Sequence, residues 1–177
     1  MPARFASRVV CVSVALLLSI GPAACVTEGP PMARQPREIP PQPEGIIPTD
    51  LDLLGSRFAQ DSDGNGYADM LHITVYLFNS VGSYRASIRA EGSLSFVLTG
   101  QDGKVISKWE FDAAQAAAAR QQLLAGPGYM FKLSLRDNGG SDELATTDAR
   151  LRCTFTPAGG GTPLTNRNPI AIGIGRI

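Results

Sequence analysis

The spacing of apolar residues changes several times along the chain, and each change marks an element. Val9 to Ile20 (VVCVSVALLLSI) is an unbroken apolar run behind Arg4 and Arg8, the only charges before Glu28. Twelve residues of helix span about 18 Å, short of the ~30 Å hydrocarbon core, so the run does not predict a permanent transmembrane helix. Residues 26–48 then carry seven prolines and no apolar period. Such sequence favours extended polyproline II and buries too little surface to fold, which predicts a spacer reaching some 50–70 Å, or one packed in part along a domain edge.

From about Thr49 the pattern turns to β. His72–Phe78 (HITVYLF) is β-branched and aromatic with apolar side chains on both faces, and predicts a strand buried on two sides. Between Ala86 and Thr99, Leu94, Phe96 and Leu98 alternate with Ser93, Ser95 and Thr99. The turn Gly100-Gln101-Asp102-Gly103 leads to a returning strand from Lys104 to Phe111, so the pair predicts a hairpin. On the return, Val105, Trp109 and Phe111 share a face.

Asp112 precedes AAQAAAARQQLLA, and Gly126-Pro127-Gly128 follows. An N-capping aspartate, strong helix formers and a Gly-Pro stop predict one helix over that run. Tyr129, Phe131, Leu133 and Leu135 resume alternation, as do Leu151, Cys153 and Phe155 after the polar loop Asp137–Asp142. Beyond Pro157 a Gly159-Gly160-Gly161 break leads to Ile170, Ile172 and Ile174, a small edge strand or a disordered end. Five or six strands with one inserted helix predict a mainly β fold, a single antiparallel β-sandwich. The strand count resembles that of immunoglobulin-like sandwiches. The organisation that follows is a signal segment over 1–24, a Pro-rich tether over 25–48, the sandwich over 49–157 and a Gly-rich tail over 158–177.

Composition narrows the function classes. The 177 residues hold 16 Lys+Arg against 16 Asp+Glu, which argues against a nucleic-acid-binding stripe or a polybasic membrane patch. Cysteines at 11, 25 and 153 offer neither a CxxC pair nor a disulfide framework. A basic start, a short apolar core and small residues behind it are the three parts of an export signal.

The segment Ala23-Ala24-Cys25 closes that signal. It resembles a bacterial lipoprotein signal, in which a cysteine after two small residues is acylated and becomes the mature N-terminus. Pro22 stands where that family usually carries an aliphatic residue. The resemblance implies a membrane anchor at Cys25, with fatty acyl chains such as palmitate. Val26 after the cysteine implies sorting to the outer membrane in a two-membrane cell. The alternative is ordinary cleavage after Ala23 or Ala24 and a free secreted protein. Loss of residues 1–24 removes two arginines and no acid, so the exported chain is slightly acidic.

One motif carries chemistry. Asp61-Ser-Asp63-Gly-Asn65-Gly66-Tyr67-Ala-Asp69 alternates oxygen donors at the spacing that wraps a calcium ion, with a glycine at the sharp turn. The ligands would be the Asp61 and Asp63 carboxylates, the Asn65 amide oxygen, the Tyr67 carbonyl and Asp69. Over about ten residues the loop resembles those of EF-hands, dockerins and thrombospondin type 3 repeats, implying a structural Ca2+. His72 stands where an EF-hand carries its bidentate glutamate, and a strand follows instead of a helix. The same residues also suit a polar Asx/Gly turn leading into the strand.

Other candidates read as structure. His72 is the only histidine, without the partners a triad or zinc site requires. Cys153 is in phase with Leu151 and Phe155, and Trp109 with Val105 and Phe111, so both point to a core. The glycines at 138–140 and 159–161 lack the strand–glycine–helix context of a phosphate loop. Asp142, Glu143 and Asp148 show no pairing by spacing. The expectation is a non-enzymatic, membrane-anchored envelope lipoprotein that binds an envelope protein or glycan through its loops. Those loops would be Asp61–Asp69 and Asn138–Asp142, if they share one end of the sandwich. The alternative is a secreted hydrolase of envelope polymers or glycans.

Overall fold

Residues with period-two alternation send every second side chain to one face, and two such faces close on each other here. A computed structural model describes residues 39–145 and 147–177; the expected signal, Cys25 and the first part of the tether lie outside the described residues. The elements in chain order are β1 (Asp50–Gly55), β2 (Tyr67–Ala68), β3 (Met70–Phe78), β4 (Gly92–Thr99), β5 (Val105–Phe111), α1 (Ala113–Ala118), β6 (Arg120–Leu123), β7 (Gly126–Ser134), β8 (Thr147–Pro157), β9 (Leu164–Thr165) and β10 (Ile170–Arg176). One sheet has the order β1-β3-β7-β6 and the other β2-β10-β8-β4-β5, with β9 beside β8. Every pairing between these strands is antiparallel. The two sheets make an antiparallel β-sandwich in which β1-β3-β7-β6 and β10-β8-β4-β5 follow the A-B-E-D and G-F-C-C′ orders, with β2 and β9 added to the second sheet; the one described cysteine is free.

The core is the meeting of the two inner faces. Leu71, Ile73, Val75 and Leu77 of β3 and Phe131 and Leu133 of β7 face Phe96 and Leu98 of β4 and Leu151, Cys153 and Phe155 of β8. Phe96, Phe111 and Phe131 form a cluster with centroids 4.5–5.9 Å apart, which joins the sheets through edge-on and tilted ring contacts. Trp109 adds a polar tie, its indole N–H donating to the Ser134 carbonyl at 2.9 Å. Cys153 is fully buried, and burial pushes its thiol pKa well above the ordinary range. Among the described residues no helix is long and apolar enough to cross a membrane.

Three sequence expectations change within the strands and the helix. The helix expected from Asp112 to Gly126 stops at Ala118. Asp112 and Gln115 form a reciprocal capping box at 2.8 and 2.9 Å, but the second half of the run pairs with β7 as an edge strand, Arg120 opposite Tyr129. A six-residue helix burying only Ala116 cannot outweigh a sheet ladder, so tertiary pairing overrides propensity. The strand at His72 is buried chiefly on one side, since His72 and Thr74 are half-exposed; Tyr76 alone is buried on the outer face, close to Gly128 and Leu123. Val105 leaves the face of Trp109 because the register shifts between Leu98 and Thr99.

The ends of the sandwich also reach further than expected. β10 is an interior strand between β8 and β2, so residues 158–177 belong to the second sheet rather than to a tail. At the other boundary, residues 39–48 of the expected tether lie on the domain. The Gln42 side-chain amide exchanges two hydrogen bonds with the Arg89 backbone at 2.6 and 3.0 Å, and the Tyr84 hydroxyl donates to the Pro40 carbonyl at 3.0 Å. Ile46 packs against the core.

Candidate functional site: the loop end

The two ends of the sandwich are distinguishable by strand direction. β3 runs from Met70 to Phe78, and β1 starts opposite Phe78. The loops 79–91, 124–125 and 158–169 and the docked segment 39–49 therefore lie at one end, called here the tether end. The loops 56–66, 100–104 and 135–146 and the chain terminus lie at the other, the loop end.

The loop end is built around the Asp61–Asp69 motif. The backbone turns sharply at Gly64 and Gly66, whose φ values of 77° and 85° favour glycine. Asp61 accepts hydrogen bonds from the amides of Asp63, Gly64 and Gly66 at 3.3, 2.8 and 2.8 Å. These amides, that of Gly66 foremost, hold its carboxyl below the ordinary value of 3.8. Asp63 and Asn65 each accept from the amide two residues on, at 3.2 and 2.9 Å, a pair of overlapping Asx turns. Asp69 sits at the corner where the chain leaves β2 in one sheet for β3 in the other. It is fully buried and takes both the amide and the hydroxyl of Ser62 at 2.9 Å.

The second loop closes on the first. Arg136 forms an ion pair with Asp63, and its Nε lies 3.9 Å from Asp142. The Asn65 side-chain amide donates to the same Asp142 carboxylate at 2.9 Å. The Leu135 amide donates to the Asp69 carbonyl at 2.9 Å, and the Ile177 amide donates to the Gly66 carbonyl at 3.1 Å. The two loops therefore lie together at one end. Asp142, an unpaired acid by spacing, is a joint between them; no sequence signal couples positions 63 and 136.

The donor set is all oxygen, the right chemistry for calcium. Asp61, Asp63, Asn65 and Asp69 are turned onto separate amides, a hydroxyl or a guanidinium, and among the described residues no three His, Cys, Asp or Glu side chains are grouped to hold a metal. In this arrangement the Arg136 guanidinium supplies positive charge beside Asp63 and Asp142.

Beside this network opens a cleft of about 520 Å³ between Phe58, Ala59, Ala68, Ile174, Thr147 and Asp148. Phe58 is 63% exposed, and its ring is seated on Gly173, where an added Cβ would lie 2.7 Å from the ring edge. The Phe58 backbone is bridged to Gly173, with the Gly173 amide donating to the Arg57 carbonyl at 2.7 Å and the Ala59 amide to the Gly173 carbonyl at 2.9 Å. The cleft thus has one aromatic wall, an apolar floor and polar groups on its rim, the composition of a small-ligand or side-chain pocket. Phe58 carries no periodicity signal and was not legible in the sequence. Trp109, by contrast, is 3% exposed and presents no face to a ligand. His72 is half-exposed on the outer face of the first sheet.

Against this geometry, comparison with known proteins finds no matching family model, no matching curated protein and no matching solved structure.

Proposed function

We propose that the chain is an envelope lipoprotein, anchored through Cys25, whose sandwich is a non-enzymatic binding module for an envelope protein or glycan. The observation that carries this reading is the placement of the two loops. Asp61–Asp69 and Asp137–Asp142 are cross-linked at the end opposite the docked N-terminal segment, beside the Phe58 cleft. An anchored module presents its recognition surface away from its tether, and rigid scaffolds commonly carry function on such loops. The outer membrane is the destination in a two-membrane cell.

Mass spectrometry of the exported protein tests the anchor. A triacylated or diacylated Cys25 is expected, and a start at Ala24 or a bare thiol at Cys25 would overturn it. Calcium in the 61–69 loop is supported by the all-oxygen donor set and would have to draw Asp63 away from Arg136. Thermal melting of Asp61→Ala decides between the two forms of the loop. Equal loss of Tm in calcium and in EDTA is the outcome for the hydrogen-bonded loop, and loss confined to calcium is the outcome for an ion-bound one.

A further inference from the structure

At the tether end, three aliphatic side chains project from three separate segments into solvent. Ile47 is 68% exposed, Val81 85% and Leu124 101%. Ile47 lies in the docked segment and Val81 in the turn beside it, where the Asn79 side-chain amide donates to the Ile47 carbonyl at 2.8 Å. Leu124 is at the tip of the β6–β7 hairpin, one residue from Ala125, whose carbonyl accepts from the Ser87 amide at 3.0 Å. Among the described residues, the only other large hydrophobic as exposed as these is Ile177, at 81%.

Two cations accompany the tips. Arg85 and Arg89, both exposed, stand on the 79–91 loop, and neither has an ion pair among the described residues. The 79–91 loop carries these two arginines against Glu91 alone, whereas the 135–146 loop at the far end carries three acids against Arg136. The chain also arrives at this end: residues 39–45 run beside Tyr84, Arg89, Gln122 and Pro127.

We propose that the tether end docks on the surface of an anionic lipid bilayer. Ile47, Val81 and Leu124 enter the interface while Arg85 and Arg89 meet headgroup phosphates. Side chains projecting from separate loops suit a fluid interface, which closes around each one. A protein partner would need a continuous packed centre, which separate tips do not make. The inference rests on the reading of Cys25 as the anchor only for its setting: a tether holds the domain near the bilayer, so weak docking is sufficient.

The test uses the exported chain from residue 25 with Cys25→Ser, so that no acyl chain contributes. It is sedimented with vesicles of phosphatidylglycerol and phosphatidylethanolamine, and with phosphatidylcholine vesicles as the neutral reference. Binding to the anionic vesicles, weakened by salt, is expected. Combined Ile47→Ser, Val81→Ser and Leu124→Ser should lower the partition coefficient about tenfold or more. Arg85→Gln and Arg89→Gln should each lower it about fivefold. Phe58→Ala, at the opposite end, should leave it unchanged, and all variants should keep the wild-type circular dichroism spectrum. Absence of binding to anionic vesicles, or a triple variant that binds like the wild type, would overturn the proposal. A bare Cys25 in the mass spectrum with vesicle binding intact would refute the anchor and leave the docking surface standing.

Discussion

The two ends of this sandwich are made by the same strands and held by different chemistry. At the loop end the chain is acidic and pinned by short-range turns: carboxylates capping nearby amides, with Arg136 joining one loop to another. At the tether end the pins are long-range. The Tyr129 hydroxyl donates to the Ala90 carbonyl at 2.7 Å and accepts from the Ala90 amide at 3.1 Å, Gln42 grips Arg89, and Asp50 gathers Ser80 and Arg167. Local turns leave a sequence signature and long-range pins leave almost none. The contrast therefore shows which parts of this chain can be read without its structure.

The largest effect that separates the ends should come from Asp69. Asp69→Ala removes a buried acceptor and leaves the Ser62 amide and hydroxyl without their partner, which should cost about 2–3 kcal/mol. Chemical denaturation measures the loss, and amide exchange should place its local share in residues 61–66 rather than in 84–91. Tyr129→Phe is the mirror experiment. It deletes the hydroxyl bridge to Ala90 and should cost about 1–2 kcal/mol, with faster exchange in the 84–91 loop and none in the Asp61 turn. Protection changing equally at both ends in either variant would show that the ends are one cooperative unit.

A smaller effect is expected at Arg136. Its ion pair with Asp63 is half-exposed, so Arg136→Ala should cost no more than about 1 kcal/mol. The informative readout is dynamic: exchange at Asn65 and at Glu143 should quicken together, because the guanidinium links their loops. The smallest effect is the acid response. Hydrogen bonds hold Asp50 at the tether end and Asp61 at the loop end below the ordinary value of 3.8, Ser80 being foremost for Asp50 and the Gly66 amide for Asp61. A carboxylate with a depressed folded-state pKa stabilises the fold above its unfolded value and loses that contribution as pH falls through the folded value. Stability should therefore decline below about pH 3.8, and Asp61→Asn should shallow that decline at the loop end only.

Several features were legible in the sequence for reasons that the structure makes plain. The alternation of Leu94, Phe96 and Leu98, or of Leu151, Cys153 and Phe155, marks strands because one face is core and the other solvent. The Asp112 cap was readable because its partner is three residues away. The run behind it was misread because Arg120–Leu123 gains its partner in Gly126–Tyr129, and helix propensity carries no information on that pairing. The sheet role of Ile170–Arg176 was hidden for a related reason. Gly173 and Gly175 look like strand breakers, yet they make room for the Phe58 ring and for the carbonyls of Leu144 and Ala145. At the candidate site, the acids of the 61–69 motif were visible as a set. Arg136, Asp142 and Phe58 were not, since each matters only through a residue distant in sequence.

The division of labour between the ends can be tested in one measurement. A photoreactive amino acid placed at Asn65, and separately at Val81 of the full chain, is activated in intact membranes of the producing cell. The expected result is a protein or glycan adduct from position 65 and a lipid adduct from position 81. Lipid adducts from position 65 with protein or glycan adducts from position 81 would contradict the assignment of the two ends.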